Sequence, residues 1–141
     1  LTLDETITLA SIAQREADTT ANMGNVASVF FNRMADAGSF PHLESDVTVH
    51  YVDEHIKPHL STSQYDQKMF DAYNTYKCDG IPVGPICNPG LDAIKAVLYA
   101  PETSYYYFCA DPETTDMYFA ETIAEHEENL RKCGLDHAIA D

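Results

Sequence analysis

Apolar residues return at helical spacing through the first third of the chain. From Thr2, the run TLDE has the form of a capping box, in which a hydroxyl and a carboxylate three positions on satisfy the free amides of a helix start. The residues that follow, ITLASIAQRE, are helix formers without internal Gly or Pro, so a helix is predicted from Leu3 to Ala17. Leu9, Ile12 and Ala13 mark its apolar stripe, and the next position of that i, i+3, i+4, i+7 series is Glu16. The spacing therefore places a carboxylate on the buried side. A second helical pattern runs from Asn25 to Ala37, with Val26, Val29, Phe30 and Met34 inward, Asn32 and Arg33 toward its end, and Gly38 as its stop.

Between Ser39 and Gly90 the periodicity fails. The stretch is rich in Pro, Gly, Ser and Asp, long for a connection in a compact domain and hence a candidate functional region. Val47 to Val52 fits either a strand or one or two helical turns, and Tyr65 to Tyr73 is compatible with a short helix. The segment GIPVGPICNPG, Gly80 to Gly90, reads as a rigid loop, because its prolines lack donors and restrict the residues before them. Asn88 is then placed to cap a helix with Pro89 at its first position and Leu91, Ile94, Val97 and Leu98 on its buried face, ended by Pro101. Tyr105 to Ala110 and Met117 to Ala120 are β-prone runs around the turn DPETTD, a hairpin. Thr122 and Glu125 form another capping box, opening a helix with Ile123, His126 and Leu130 on one side and a stop near Gly134. The order of elements predicts a single α+β domain of several helices with a small hairpin and a long irregular middle segment.

Charge narrows the partners. The 141 residues carry 23 Asp and Glu against 8 Lys and Arg, a formal net charge of −15. Nucleic-acid binding and polybasic membrane-surface binding both need a positive footprint, so neither fits. The balance favours a ligand that is neutral, cationic or held by hydrogen bonds. With 45% hydrophobic residues, 9 Tyr and 6 Phe, the chain can fill a core. No apolar run approaches the roughly 18 residues of a membrane span, and Leu1 to Glu5 lack a signal pattern, so the chain reads as an excised domain. Cys78, Cys87, Cys109 and Cys133 are spaced too irregularly for a zinc ribbon or a redox C-x-x-C, and no metal is expected. Their even number permits disulfides, with Cys78 and Cys87 bracketing the Pro/Gly loop; four buried thiols is the alternative.

Glu16 is the sharpest chemical candidate, because burial of a carboxyl raises its pKa and keeps a proton available near neutral pH. A solvent-facing glutamate at a helix end is the plainer alternative. Asp46, between Ser45 and Val47, suits either a substrate hydroxyl or an Asx turn. Tyr73, Asn74, Thr75 and Tyr76 offer aromatic faces and polar tips suited to sugar rings, or a core edge. His55 and His59 are separated by Pro58, which spoils a paired metal site, and His126 faces inward as a structural histidine or a base. The chain has no G-x-S-x-G elbow and no phosphate-binding G-x-x-x-x-G-K-[ST] loop.

Six segments in order resemble the endolytic murein transglycosylases, the YceG-like (MltG) family of bacterial cell-wall synthesis. They are LASIAQRE from Leu9, VASVFFNRM from Val26, LESDVTVHY from Leu43, YNTYKCDGIPVGPICNPGLDAIKA from Tyr73, YYYFCAD from Tyr105 and FAETIAEHEENL from Phe119. The most specific piece is Y-N-T-Y followed by G-x-P-x-G-P-I-x-N-P-G. Family members commonly read A-S-I-x-E-K-E at the first segment, and the last acid of that motif matches Glu16, whereas the earlier one is Gln14 here. Val47 stands where many members have proline.

The resemblance implies a lysozyme-like catalytic domain that cleaves between N-acetylmuramic acid and N-acetylglucosamine without water, leaving 1,6-anhydro ends. One carboxyl serves such a reaction twice, first as acid and then as base. It implies Glu16 as the catalytic residue, and Asn32, Ser45, Asp46, Thr48, Tyr73, Asn74, Thr75 and His126 as residues that position sugars, with the Gly80 to Gly90 loop walling the cleft. Peptidoglycan strands are the expected partner, alongside cell-wall synthases, and no cofactor is expected, since no pyridoxal phosphate pattern appears. An amino-terminal membrane helix and a LysM-like subdomain, usual in the family, are absent from this chain and would hold the longer protein at the outer face of the cell membrane. Two rivals stand beside this reading: a lysozyme-like hydrolase in which Asp46 activates water, and a glycan-binding module that no longer cuts.

Overall fold

The computed structural model describes residues 1–139. Helix α1, Leu3–Glu16, opens on the Thr2/Glu5 capping box and carries the fully buried Leu9, Ile12 and Ala13. Helix α2, Thr20–Ala35, begins five residues before the predicted Asn25, because Thr19 accepts the Asn22 amide as its cap and Gly24 is accommodated inside the helix. A Cβ at Gly24 would meet Cδ of Pro101 at 3.3 Å, so the glycine serves close packing rather than termination. At the other end Asp36 is the cap, and Gly38 lies in the following turn without the left-handed backbone of a glycine stop.

The ambiguous stretch is helical: α3, Asp46–Tyr51, runs into a wider π turn, Val52–Ile56, and a 3₁₀ turn, Lys57–His59, that contains Pro58. Helix α4, Gln67–Tyr73, is capped by Asp66. Residues 80–90 hold no regular structure and are pinned along α1, where Ser11 Oγ accepts the Ile86 amide at 3.0 Å and Gln14 Oε1 accepts the Gly90 amide at 2.6 Å. Gly90, not Asn88, is therefore the residue before α5, Leu91–Leu98.

The buried face of α5 also differs from the sequence expectation. Leu91 and Leu98 are exposed, while Ala93, Ala96 and Val97 pack into α1 and α2. Small side chains let three helices approach closely around Leu9, Ile12, Val26 and Phe30. Strands β1, Tyr107–Ala110, and β2, Met117–Ala120, form the expected antiparallel hairpin, with Tyr107 opposite Ala120 and Cys109 opposite Tyr118. Helix α6, Ile123–Lys132, starts on the Thr122/Glu125 capping box and covers the hairpin. Ile123 is exposed, so Leu130 alone of the apolar side predicted for this helix is fully turned inward. Gly134, at φ +68°, reverses the chain in the left-handed conformation a glycine allows. The architecture is α+β.

Cys109 and Cys133 meet under the hairpin with their sulfurs 3.9 Å apart, and Cys78 and Cys87 are free, half-buried thiols. The pair that the chain brings together is thus not the one its spacing favours. Thiol reagent is expected to modify Cys78 and Cys87 in the native protein and Cys109 and Cys133 only after unfolding, as peptide mapping would read. A Cys78–Cys87 cross-link in that map would contradict this placement.

Candidate active site

Glu16 is the last residue of α1, so its side chain leaves the apolar stripe where the helix opens onto a cleft of about 630 Å³. The cleft lies between the Glu16 end of α1, the Leu43 to Asp46 segment, Tyr76, the hairpin and α6. Ser45 Oγ donates to Glu16 Oε1 at 2.5 Å. Burial pushes the Glu16 carboxyl above the ordinary glutamate range. The Ser45 hydroxyl opposes that shift, the Asp46 charge reinforces it, and His50 on α3 opposes it weakly. Burial is the largest of these influences, so the proton is held more tightly than in water.

Ser45 is itself fixed by two buried threonines. Its amide donates to Thr75 Oγ1 at 2.8 Å, its carbonyl accepts from Thr48 Oγ1 at 2.8 Å and Thr75 Oγ1 at 3.0 Å, and the two threonine hydroxyls meet at 3.0 Å. Thr48 and Thr75 have no exposed surface, so the geometry gives them the task of holding Ser45 rather than touching a sugar. Replacing Thr75 by valine is expected to lower the unfolding free energy by about 1–3 kcal/mol, because it strands the Ser45 amide in a dry site and leaves the carbonyl to Thr48. Denaturant unfolding checks this, and an unchanged midpoint would show that the threonine pair is dispensable.

Asp46 begins α3 and accepts a hydrogen bond from the Tyr76 hydroxyl, which burial and the Asp46 charge keep protonated by raising its pKa. Tyr76 lines the cleft beside Glu16 and Asp46. Of the YNTY run it is this second tyrosine that faces the site. Tyr73 packs instead against Tyr51, with ring centroids 5.4 Å apart, and Asn74 Oδ1 accepts the Tyr76 amide in an Asx turn. Asn32 is likewise turned away from the cleft, donating to the carbonyls of Thr103 and Tyr105 at 2.9 and 2.8 Å and so fastening α2 to the approach to β1.

His126 also lines the cleft, stacked on Tyr107 at 5.1 Å, with Nδ1 buried and unpartnered. Burial, followed by the nearby Arg33 charge, lowers its pKa, so the ring is neutral at pH 7. The Gly80 to Gly90 loop, expected to wall the cleft, contributes none of its lining residues, because its amides are engaged along α1. Gln14 takes part in that engagement, which explains how an amide serves where an acid is common. Among the described residues no group of three or more His, Cys, Asp and Glu gathers as metal ligands, and no helix is long and apolar enough to cross a membrane. Sequence reasoning passed over Arg33 and Glu44, which also line the cleft. Neither stands out by periodicity, since their partners lie far along the chain.

Comparison with known proteins gives concordant matches. The model of the YceG-like family matches residues 1–132. A protein of Bacillus subtilis (strain 168) named endolytic murein transglycosylase is 34% identical over 126 residues, covering 89% of this chain and 33% of that protein. One of the same name from Streptococcus pneumoniae serotype 2 (strain D39 / NCTC 7466) is 29% identical over 133 residues, covering 92% of this chain and 24% of that protein. A crystal structure of a yceG-like protein from Listeria monocytogenes superposes with a TM-score of 0.75 at 34% identity, over 92% of this chain and 40% of that one. The chain thus spans between 24% and 33% of the length of these two curated relatives.

Proposed function

Because the chain belongs to the YceG-like family, we propose that it is the catalytic part of an endolytic lytic transglycosylase acting on peptidoglycan, with Glu16 as both acid and base. The observation that carries the reading is the Glu16 carboxyl itself, partly buried, its pKa pushed up by that burial, and aimed by Ser45 into an open cleft. In the first step the Glu16 proton passes to the oxygen joining N-acetylmuramic acid to N-acetylglucosamine, and the bond to the muramic anomeric carbon breaks. The carbon left electron-poor lies in a cleft that also holds the Asp46 carboxylate, which stabilises positive charge electrostatically. The muramic 6-hydroxyl then attacks that carbon and returns its proton to the Glu16 carboxylate. A 1,6-anhydro ring forms, no water is consumed, and Glu16 ends as it began.

Tyr76 offers a ring face to a sugar, and the His126 ring contributes to the wall of the same cleft. In this reading the longer protein works at the outer face of the bacterial membrane, held there by an amino-terminal helix and coupled to cell-wall synthases. Asp46 beside Glu16 supports a second reading, hydrolysis, in which Asp46 activates water on the anomeric carbon. Mass spectrometry of fragments released from purified peptidoglycan separates the two. Anhydro ends support the transglycosylase, reducing ends support the hydrolase, and the absence of any cleavage would overturn both.

A further inference from the structure

Glu44, the residue before Ser45, stands at φ +56°, a left-handed backbone that a side chain of its size adopts only when its surroundings hold it there. The surroundings are specific. Arg33, almost fully buried, donates from Nε to the Tyr106 carbonyl at 2.7 Å and from Nη1 to the His42 carbonyl at 3.0 Å, and the same Nη1 lies 3.4 Å from Glu44 Oε2. Its guanidinium lies against the rings of Phe40 and Tyr107, each centroid 5.2 Å away. One nitrogen thus grips the chain on both sides of the buried Leu43. The Glu44 amide is tied on the opposite side, donating to the Thr75 carbonyl at 3.0 Å.

We propose that Glu44 is a positioning residue, anchored by Arg33 in a left-handed conformation that aims the Ser45 hydroxyl at Glu16. As an exposed ion pair the contact would matter little, since half of the Glu44 side chain reaches solvent. Its effect comes instead from the backbone. Releasing the carboxylate leaves the backbone strain at residue 44 opposed only by the Thr48 and Thr75 bonds to Ser45 and the Glu44 amide, and relaxation toward negative φ turns the Ser45 hydroxyl from Glu16. The inference rests on the reading of Glu16 as the acid, but the geometry it describes is independent of any reaction.

Two substitutions at one position test it. Glu44→Ala loses the anchor and keeps the backbone penalty, so the loop relaxes; because the residue is half-exposed, the relaxation is local. Glu44→Gly loses the same anchor but accepts φ +56° without penalty, so the loop stays. Cleavage of purified peptidoglycan is expected to fall about tenfold or more in Glu44→Ala, in kcat rather than KM, and to return most of the way in Glu44→Gly. The carboxyl-carbon NMR titration of Glu16 should move upward in Glu44→Ala, where the Ser45 donor has strayed, and back in Glu44→Gly. That signal also reflects Asp46 and His50, and the Glu44 charge acts on the neighbouring Tyr76; both substitutions remove that charge alike, so the difference between Glu44→Ala and Glu44→Gly reads the backbone. Equal impairment of the two variants would mean that the carboxylate itself is required, and wild-type behaviour of both that Glu44 positions nothing; either result overturns the proposal. If the wild-type protein cleaves no glycan, the transglycosylase reading fails while the titration still decides the positioning role.

Discussion

Glu16→Gln is expected to abolish cleavage while leaving the fold intact. The amide keeps the shape of the side chain and still accepts from Ser45 Oγ, but it has no proton to give to a leaving oxygen and no basicity to take one back. With one group proposed to perform both transfers, the loss should exceed the 10²- to 10⁴-fold of a single general acid and reach about 10⁴-fold or more. Retained activity would remove Glu16 from the reaction. Stability should change in the opposite sense. The folded protein binds the Glu16 proton more tightly than the unfolded chain, so folding is favoured most below the ordinary glutamate pKa. Stability is lost as pH rises through the folded value and stays reduced above it. Glu16→Gln escapes that loss, and thermal unfolding at pH 5 and pH 8 should show the variant gaining on the wild type at the higher pH.

Ser45→Ala carries the second large effect, and its sign is fixed by which form of Glu16 the hydroxyl favours. A donor at 2.5 Å stabilises the carboxylate and so lowers the Glu16 pKa against the larger upward push of burial. Without it the pKa rises further. The limb of the pH–rate profile on which activity falls with increasing pH should therefore move to higher pH, while the plateau rate drops about tenfold to a hundredfold, because the carboxyl is no longer oriented. A profile unchanged in position would mean that the Ser45 contact does not persist in solution.

The two effects differ in how far the sequence announces them. Leu9, Ile12, Ala13 and Glu16 lie on one turn-by-turn series, so local periodicity alone puts a carboxylate at the edge of the core. Capping boxes at Thr2 and Thr122 are read equally well, because each is a contact between residues three apart. The environment of Glu16 is another matter. Ser45 comes to it from 29 positions away, and Tyr76 reaches Asp46 across 30. Such contacts depend on the course of an irregular segment that no period describes. The left-handed turn at Glu44 carries no local mark at all, since glycine or asparagine is the residue expected there.

Errors at the helix faces have a similar origin. Leu91 and Leu98 look like core by size, yet α5 is packed through its alanines because α1 and α2 leave space only for small side chains. Asn88 looks like a cap by type, yet Gln14 claims the neighbouring Gly90 amide and sets the helix start two residues later. Tyr73, Asn74, Thr48 and Thr75 are legible as residues of a functional region, and Asn32 only through the family resemblance, but none of them as scaffold. Whether a side chain faces a cleft or supports the residue that does is decided by tertiary partners.

The proposed role of Glu16 requires a raised pKa, and carboxyl-carbon NMR of the wild-type protein titrated from pH 3 to 9 measures that directly. The structure predicts a Glu16 resonance with a midpoint higher than the ordinary value of 4.5. A midpoint at or below that value would mean that the side chain is solvated or ion-paired, and would contradict its assignment as the acid.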